Sequence, residues 1–237
     1  MSFGAGRSLY QRTQQAQDKE VTKRNMRRLI VLSFITLDGV MQAPGAPEED
    51  PSGGFKYGGW SAGYFDDFGG SVMVEQMGHP FDLLLGRRTY DIFAGYWPKA
   101  AADDPIAQGI NKATKYVVSH RPVNVDWKTS VLIDGDVVAK IKKLKAEGGP
   151  ELQVHGSGNL IQTLLKSDLV DEFWLKTFPV TLGTGKRLFA DGTMPFGFKL
   201  LDSKISPSGV IVASYARAGD VKIGSFVQTP AEQARRS

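Results

Sequence analysis

The sequence predicts an α/β domain built on a mostly parallel sheet with an antiparallel C-terminal edge. Apolar strand-like runs alternate with helical segments until about residue 170. Beyond that point strands dominate and end in a hairpin around Pro207-Ser-Gly209. Three strand ends, near residues 86, 119 and 156, run into turn residues and then a helix or loop, as strands of a parallel sheet do.

Leu29–Ile35 predicts a buried first strand. Residues 41–59 are rich in Pro and Gly and predict a long loop. Residues 61–78 are helix-like in part, with Gly69-Gly70 expected to interrupt. Phe81–Leu85 predicts a strand, and Gly86 leads into a helix through about Phe93. Lys115–Val118 and Ser130–Ile133 predict strands. Asp136 can cap a helix whose Val137, Val138, Ile141 and Leu144 share one face, ending at Gly148-Gly149-Pro150. Glu151–His155 predicts a strand, Leu160–Lys166 a helix and Asp171–Phe178 a strand. Phe198–Ile205 and Val210–Arg217 predict the hairpin. One domain, 26–227, is the simplest count. Residues 1–25 predict a leader or disordered appendage, the alternative being a mobile helix that docks on a partner, and residues 228–237 predict a flexible tail.

The composition, 41% hydrophobic and 23% charged over 237 residues, excludes wholesale disorder, collagen and coiled coil. No apolar run reaches the ~20 residues of a membrane span. The absence of cysteine excludes disulfides and thiolate chemistry. A cytoplasmic location is expected. Of the +4 net charge, residues 1–28 carry +5 and residues 228–237 carry +1, which leaves −2 for 29–227. The basic character belongs to the termini, so no nucleic-acid face is expected on the domain.

The three corners are Gly86-Arg87-Arg88-Thr89, Ser119-His120-Arg121 and Gly156-Ser157-Gly158-Asn159-Leu160. Glycine lets a phosphate approach the backbone, a helix start offers N–H groups and a positive dipole, and Arg and Ser add hydrogen bonds. Each corner by itself is also readable as an ordinary turn; together they can surround one phosphorylated ligand. The Rossmann and Walker patterns are not met. Gly156-Ser-Gly158-Asn-Leu-Ile161 lacks the third glycine, and Gly183-Thr-Gly185-Lys186 is followed by Arg187 instead of Ser or Thr. His79, His120 and His155 lack carboxylates at ligand spacing, so no metal is expected. Trp60, Tyr64, Phe65 and Phe68 cluster near Asp66 and Asp67. They read either as packing or as a platform for a flat heterocycle beside a carboxylate.

Arg27-Arg-Leu-Ile-Val-Leu-Ser-Phe-Ile-Thr-Leu-Asp-Gly39 resembles the opening strand and Ser-x-x-x-Leu-Asp-Gly signature of the dihydrofolate-reductase-like superfamily. The closer branch is the reductase domain of the bifunctional riboflavin-biosynthesis deaminase–reductase and its stand-alone bacterial relatives. Leu84-Leu-Gly-Arg-Arg-Thr-Tyr90 is similar to that superfamily's Gly-Arg-x-Thr-Tyr/Trp motif, Val154–Leu160 to its second glycine turn, and Phe178–Phe189 to its Pro-x-x-x-Gly-x-Gly-x-x-Leu-Phe segment. The resemblance implies a three-layer α/β/α dihydrofolate reductase-like fold and NADPH as cofactor. By position, it implies that Gly86, Arg87, Arg88 and Thr89 hold phosphates and that Ser119, His120 and Arg121 lie near the adenosine 2′-phosphate. Gly156, Ser157, Gly158, Asn159 and Leu160 would line the pyrophosphate, and Thr36, Leu37 and Asp38 would border the nicotinamide cleft. Asp38, Asp66 or Asp67 would position the proton source, since hydride transfer leaves a nitrogen or oxygen needing a proton. The expected function is reduction of a small planar pyrimidine- or pterin-like heterocycle; the alternative is a non-catalytic nucleotide- or ligand-binding protein on the same fold. A homodimer is expected, because the terminal hairpin offers an edge strand with apolar surface.

Overall fold

The structure is a computed structural model that describes residues 26–121 and 124–226. The leader expected at 1–25 and the tail at 228–237 lie outside the described residues. The elements run β1 (Leu29–Thr36), α1 (Asp67–Gln76), β2 (Phe81–Gly86), α2 (Arg87–Tyr96), α3 (Pro105–Lys112), β3 (Lys115–Val118), β4 (Ser130–Ile133), α4 (Val137–Ala146), β5 (Glu151–His155), α5 (Gly158–Lys166), β6 (Glu172–Phe178), β7 (Phe198–Ile205) and β8 (Ile211–Arg217).

The strands form one sheet in the order β4-β3-β2-β5-β1-β6-β8-β7. The first six are parallel; β8 pairs antiparallel with β6, and β7 antiparallel with β8. Strand β1 is apolar on both faces because both are covered. Leu29 and Val31 join a core with Leu84, Val154, Ile141 and Leu144 of α4, and Ile161 and Leu164 of α5. On the opposite face, Leu83, Leu85 and Val117 pack with Tyr90 of α2 and Ile110 of α3. The result is the three-layer α/β/α arrangement.

Two elements differ from the sequence reading. Gly69-Gly70 lie inside α1 instead of breaking it: the Asp66 carboxylate accepts the Gly69 N–H at 2.8 Å and fixes the first turn. Helix α3 is marked in sequence only by Asp104-Pro105, where Asp104 caps the N–H groups of Ile106 and Ala107 and Pro105 occupies the first turn.

Candidate active site

Strands β2 and β5 are neighbours, yet α2 and α5, which follow them, pack on opposite faces. A parallel sheet opens a crevice at such a point, beyond the carboxyl ends of its strands. Here the corners at 86 and 156 meet. The Ser157 hydroxyl accepts the Gly86 N–H at 2.9 Å and points toward Thr89 Oγ1 at 3.0 Å and the His155 carbonyl at 3.1 Å. The fit leaves ordinary contact room at Gly86 and is tight at Gly156, whose positive φ favours glycine. A Cβ on Gly86 would lie 3.4 Å from Ser157, and one on Gly156, at φ +52°, would lie 3.3 Å from Thr89 Oγ1. Ser157 itself is left-handed, at φ 64°, and these hydrogen bonds hold it there.

The caps of the helices divide along the same line. Asp66, Asp104 and Asp136 cap α1, α3 and α4 through their side chains. Helices α2 and α5 have no side-chain cap, since Gly86 has no side chain and the Ser157 hydroxyl is turned to the neighbouring corner. Two sets of N–H groups and two positive dipole ends therefore converge on the crevice, which fits an anionic pyrophosphate. Asn159 is exposed at the start of α5, whereas the Leu160 side chain belongs to the core, so only its backbone is available to a ligand.

The third corner ends β3, next to β2, with Val118 in register with Gly86. Ser119 is buried and closes the turn on itself, its hydroxyl donating to the Arg121 carbonyl at 2.9 Å. His120 and Arg121 are exposed. The neighbouring arginines diverge. Arg87 pairs along the helix surface with Asp91 at 2.7 Å. Arg88 pairs with Asp50 of the long loop, and Asp50 also binds Lys186 at 2.6 Å, while Ser52 Oγ accepts from both cations. Gln42 braces this loop by donating to the carbonyls of Asp50 and Ser52. Burial works against ionisation of Asp50; hydrogen bonds from Lys186 and Ser52 and the Lys186 charge outweigh it and hold the carboxyl below its usual range.

At the end of β1, Thr36 is buried and donates to Asp38, while Leu37 is exposed. Asp38 also accepts the N–H groups of Leu182 at 3.2 Å and Gly183 at 2.8 Å, which makes it the organiser of the 183–189 segment. The Thr36 hydroxyl and these amides keep its carboxyl ionised below the usual range. Asp66 is likewise held low, first by the Gly69 N–H of its own cap. Asp67 is exposed in the first turn of α1. The geometry thus places Asp38 and Asp66 as ionised acceptors of backbone N–H groups, and does not bring Asp67 to the crevice floor.

The sheet face beneath these elements, taken as the floor of the site, contains residues to which the sequence assigned no catalytic role. Phe34 of β1 is in register with Lys176 of β6, and Leu32 with His155 of β5. These side chains share the face that carries α1 and α2. Phe34 packs with Phe65 at 6.3 Å and Phe178 at 5.1 Å, and Trp60 and Tyr64 pack against Phe178, so Trp60, Tyr64 and Phe65 of the expected cluster are continuous with the sheet. A cation also lies beside the cluster. Lys176 is 3% exposed, donates to the Gln76 side chain of α1, and sits 5.7 Å from the Phe34 ring. Burial lowers it to about 7. His155 is buried against Phe93, within hydrogen-bond distance of Gln153 at 3.1 Å; burial first, and then Lys176, lower it to about 3. The available signal was a lysine on the same alternating face of β6 as Trp174 and Phe178.

Residues 27–212 match the family model of the RibD C-terminal domain. The chain is similar to the uncharacterized protein YyaP of Bacillus subtilis (strain 168), at 28% identity over 198 residues that cover 80% of this chain and 94% of that protein. In fold it is similar to a pyrimidine reductase-like protein from Corynebacterium diphtheriae NCTC (TM-score 0.58, 13% identity, 84% of this chain and 95% of that one). It is also similar to a diaminohydroxyphosphoribosylaminopyrimidine deaminase/5-amino-6-(5-phosphoribosylamino)uracil reductase from Thermotoga maritima (TM-score 0.54, 13% identity, 82% of this chain and 58% of that one).

Proposed function

Because the chain belongs to the RibD C-terminal domain family, we propose that it is an NADPH-dependent reductase of a small planar heterocycle, pyrimidine- or pterin-like. A phosphoribosylaminouracil of the riboflavin pathway is one member of that class. The observation that carries the reading is the pair of uncapped helix starts, α2 and α5, facing one crevice while the other three helices of eight or more residues are capped by aspartate.

In this reading Gly86–Thr89 and Gly156–Leu160 hold the pyrophosphate with backbone N–H groups. His120 and Arg121, one strand away, meet the 2′-phosphate, with Ser119 fixing their turn. Arg88 and Lys186 flank the same edge, and Arg87 adds long-range positive charge. Thr36 and Leu37 border the nicotinamide end, where the aromatic cluster gives a flat substrate an apolar wall. The cofactor supplies hydride; the protein supplies orientation and electrostatics. The proposal includes a homodimer through β7, the sheet's outer strand, where Leu200, Leu201 and Ile205 are exposed.

Calorimetry with NADPH and NADH tests it. NADPH is expected to bind the wild type, Arg88→Ala to weaken both nucleotides, and Arg121→Ala to weaken NADPH at least tenfold more than NADH. A flat titration with NADPH would overturn the reading. NADPH binding with no oxidation across pterins, pyrimidines and quinones would select the non-catalytic binding protein instead.

A further inference from the structure

The other buried lysines and arginines among the described residues are compensated. Arg27 pairs with Asp82, Lys145 with Asp171, and Lys115 donates to three oxygens while feeling the Asp82 charge. Lys176 differs. Among the described residues it has no carboxylate partner, and its hydrogen bond goes to the neutral amide of Gln76. The groups facing it are His155 from β5, the Phe34 ring from β1 and Gln76 from α1. Glu75, next to Gln76 in α1, pairs with Lys204, and Glu172, at the start of β6, pairs with Arg28 and Trp174. A lysine buried without a counter-ion is costly, and a wholly apolar side chain of that length would pack there without the cost. Its position is also specific, at the carboxyl end of β6, under the aromatic cluster and across β1 from His155 and the crevice.

We propose that Lys176 is the proton donor of the reduction, a catalytic residue that reaches the substrate from the crevice floor. The inference rests on the reductase reading. When a C=N or C=O carbon accepts hydride from the reduced nicotinamide, the π pair moves to the nitrogen or oxygen. That atom takes a proton as the Lys176 N–H bond breaks, and the neutral amine is reprotonated from water. Asp38 and Asp66 are poorly suited to the task because both are held ionised and already accept backbone N–H groups. An amine brought by burial to about 7 is protonated in about half of the molecules at neutral pH and gives its proton up readily. His155, neutral under the same burial, adds no competing charge.

The test uses the full chain labelled with ¹³Cε-lysine and compares wild type with Lys176→Met. A lysine signal that is absent from K176M is expected to titrate about three units below an ordinary lysine, and the low signal of Lys115 is told apart from it by persisting in K176M. The Lys176 midpoint is expected to lie at least half a unit lower in the NADP⁺ complex than in the NADPH complex, because the oxidised ring places a positive charge beside it. A midpoint that is equal in the two complexes, or a Lys176 signal that titrates with the other lysines, overturns the proposal. Failure of both nucleotides to bind instead overturns the reductase reading, and is visible separately by calorimetry. For any heterocycle that the wild type reduces, kcat is expected to fall above the same midpoint. K176M is expected to lose roughly 100-fold or more in kcat while binding NADPH within twofold. A K176M rate equal to wild type also overturns the proposal.

Discussion

The isolation of Lys176 makes its titration visible in stability as well as in chemistry. An ordinary lysine titrates at 10.5, and burial brings Lys176 to about 7 in the folded chain. Between those values the unfolded chain binds the extra proton, so unfolding becomes harder as pH rises. The contribution is fully present above the unfolded value and is lost as pH falls through the folded one. From pH 7 to pH 9 the two titrations together raise stability by about 2 kcal/mol, and across the whole window by about 5 kcal/mol as an upper bound. Urea unfolding at both pH values, in wild type and Lys176→Met, isolates this amount. Lys115, which desolvation lowers to about 8 against the opposing charge of Asp82, titrates in the same window. It is present in both proteins and cancels in the difference. K176M is expected to be the more stable protein at pH 7, with its advantage shrinking by about 2 kcal/mol at pH 9. Parallel pH dependences would show that the Lys176 amine is solvated in the folded state, and the account of the crevice floor would fail.

Two other perturbations address the crevice rim. Gly156→Ala places a Cβ 3.3 Å from Thr89 Oγ1 at a positive φ; it is expected to cost roughly 1–2 kcal/mol in thermal or urea unfolding and to weaken NADPH in calorimetry. Asp50→Asn removes the carboxylate that bridges Arg88 and Lys186; it is expected to tighten NADPH several-fold at low salt, with a difference that shrinks as salt is added.

Much of the frame was legible because it depends on local chemistry. Glycine corners after apolar runs marked β2 and β5, and Asp136 before an amphipathic run marked α4. Gly69-Gly70 misled because a helix tolerates glycine at about 1 kcal/mol each when a cap and packing support it, and here Asp66 supplies the cap. The same event accounts for Asp66 as a candidate acid: a carboxylate beside aromatic residues looks chemical in sequence, while its use as a cap depends on where the helix starts. Lys176 was illegible for the opposite reason. Its partner Gln76 lies 100 residues away, and its burial follows from the register that sets it against Phe34. A side chain whose environment is made wholly by long-range pairing leaves only its alternation within the strand as a signal.

The carboxylates and cations of the crevice explain one another. Asp38 organises the glycine segment, Asp50 bridges Arg88 to Lys186, and Asp66 caps α1, so each of these negative charges already has a partner inside the chain. Among the described residues, the helix starts of α2 and α5 and the Lys176 amine lack an equivalent negative partner. What remains uncompensated is therefore positive at two depths: backbone dipoles at the rim, where a pyrophosphate would lie, and one amine on the floor, where a reduced heterocycle would need a proton. A site built only to bind a nucleotide would require the first and would be better packed without the second. The coexistence of the two, separated by the width of β5 and β1, is what favours a reductase over a binding protein on this fold.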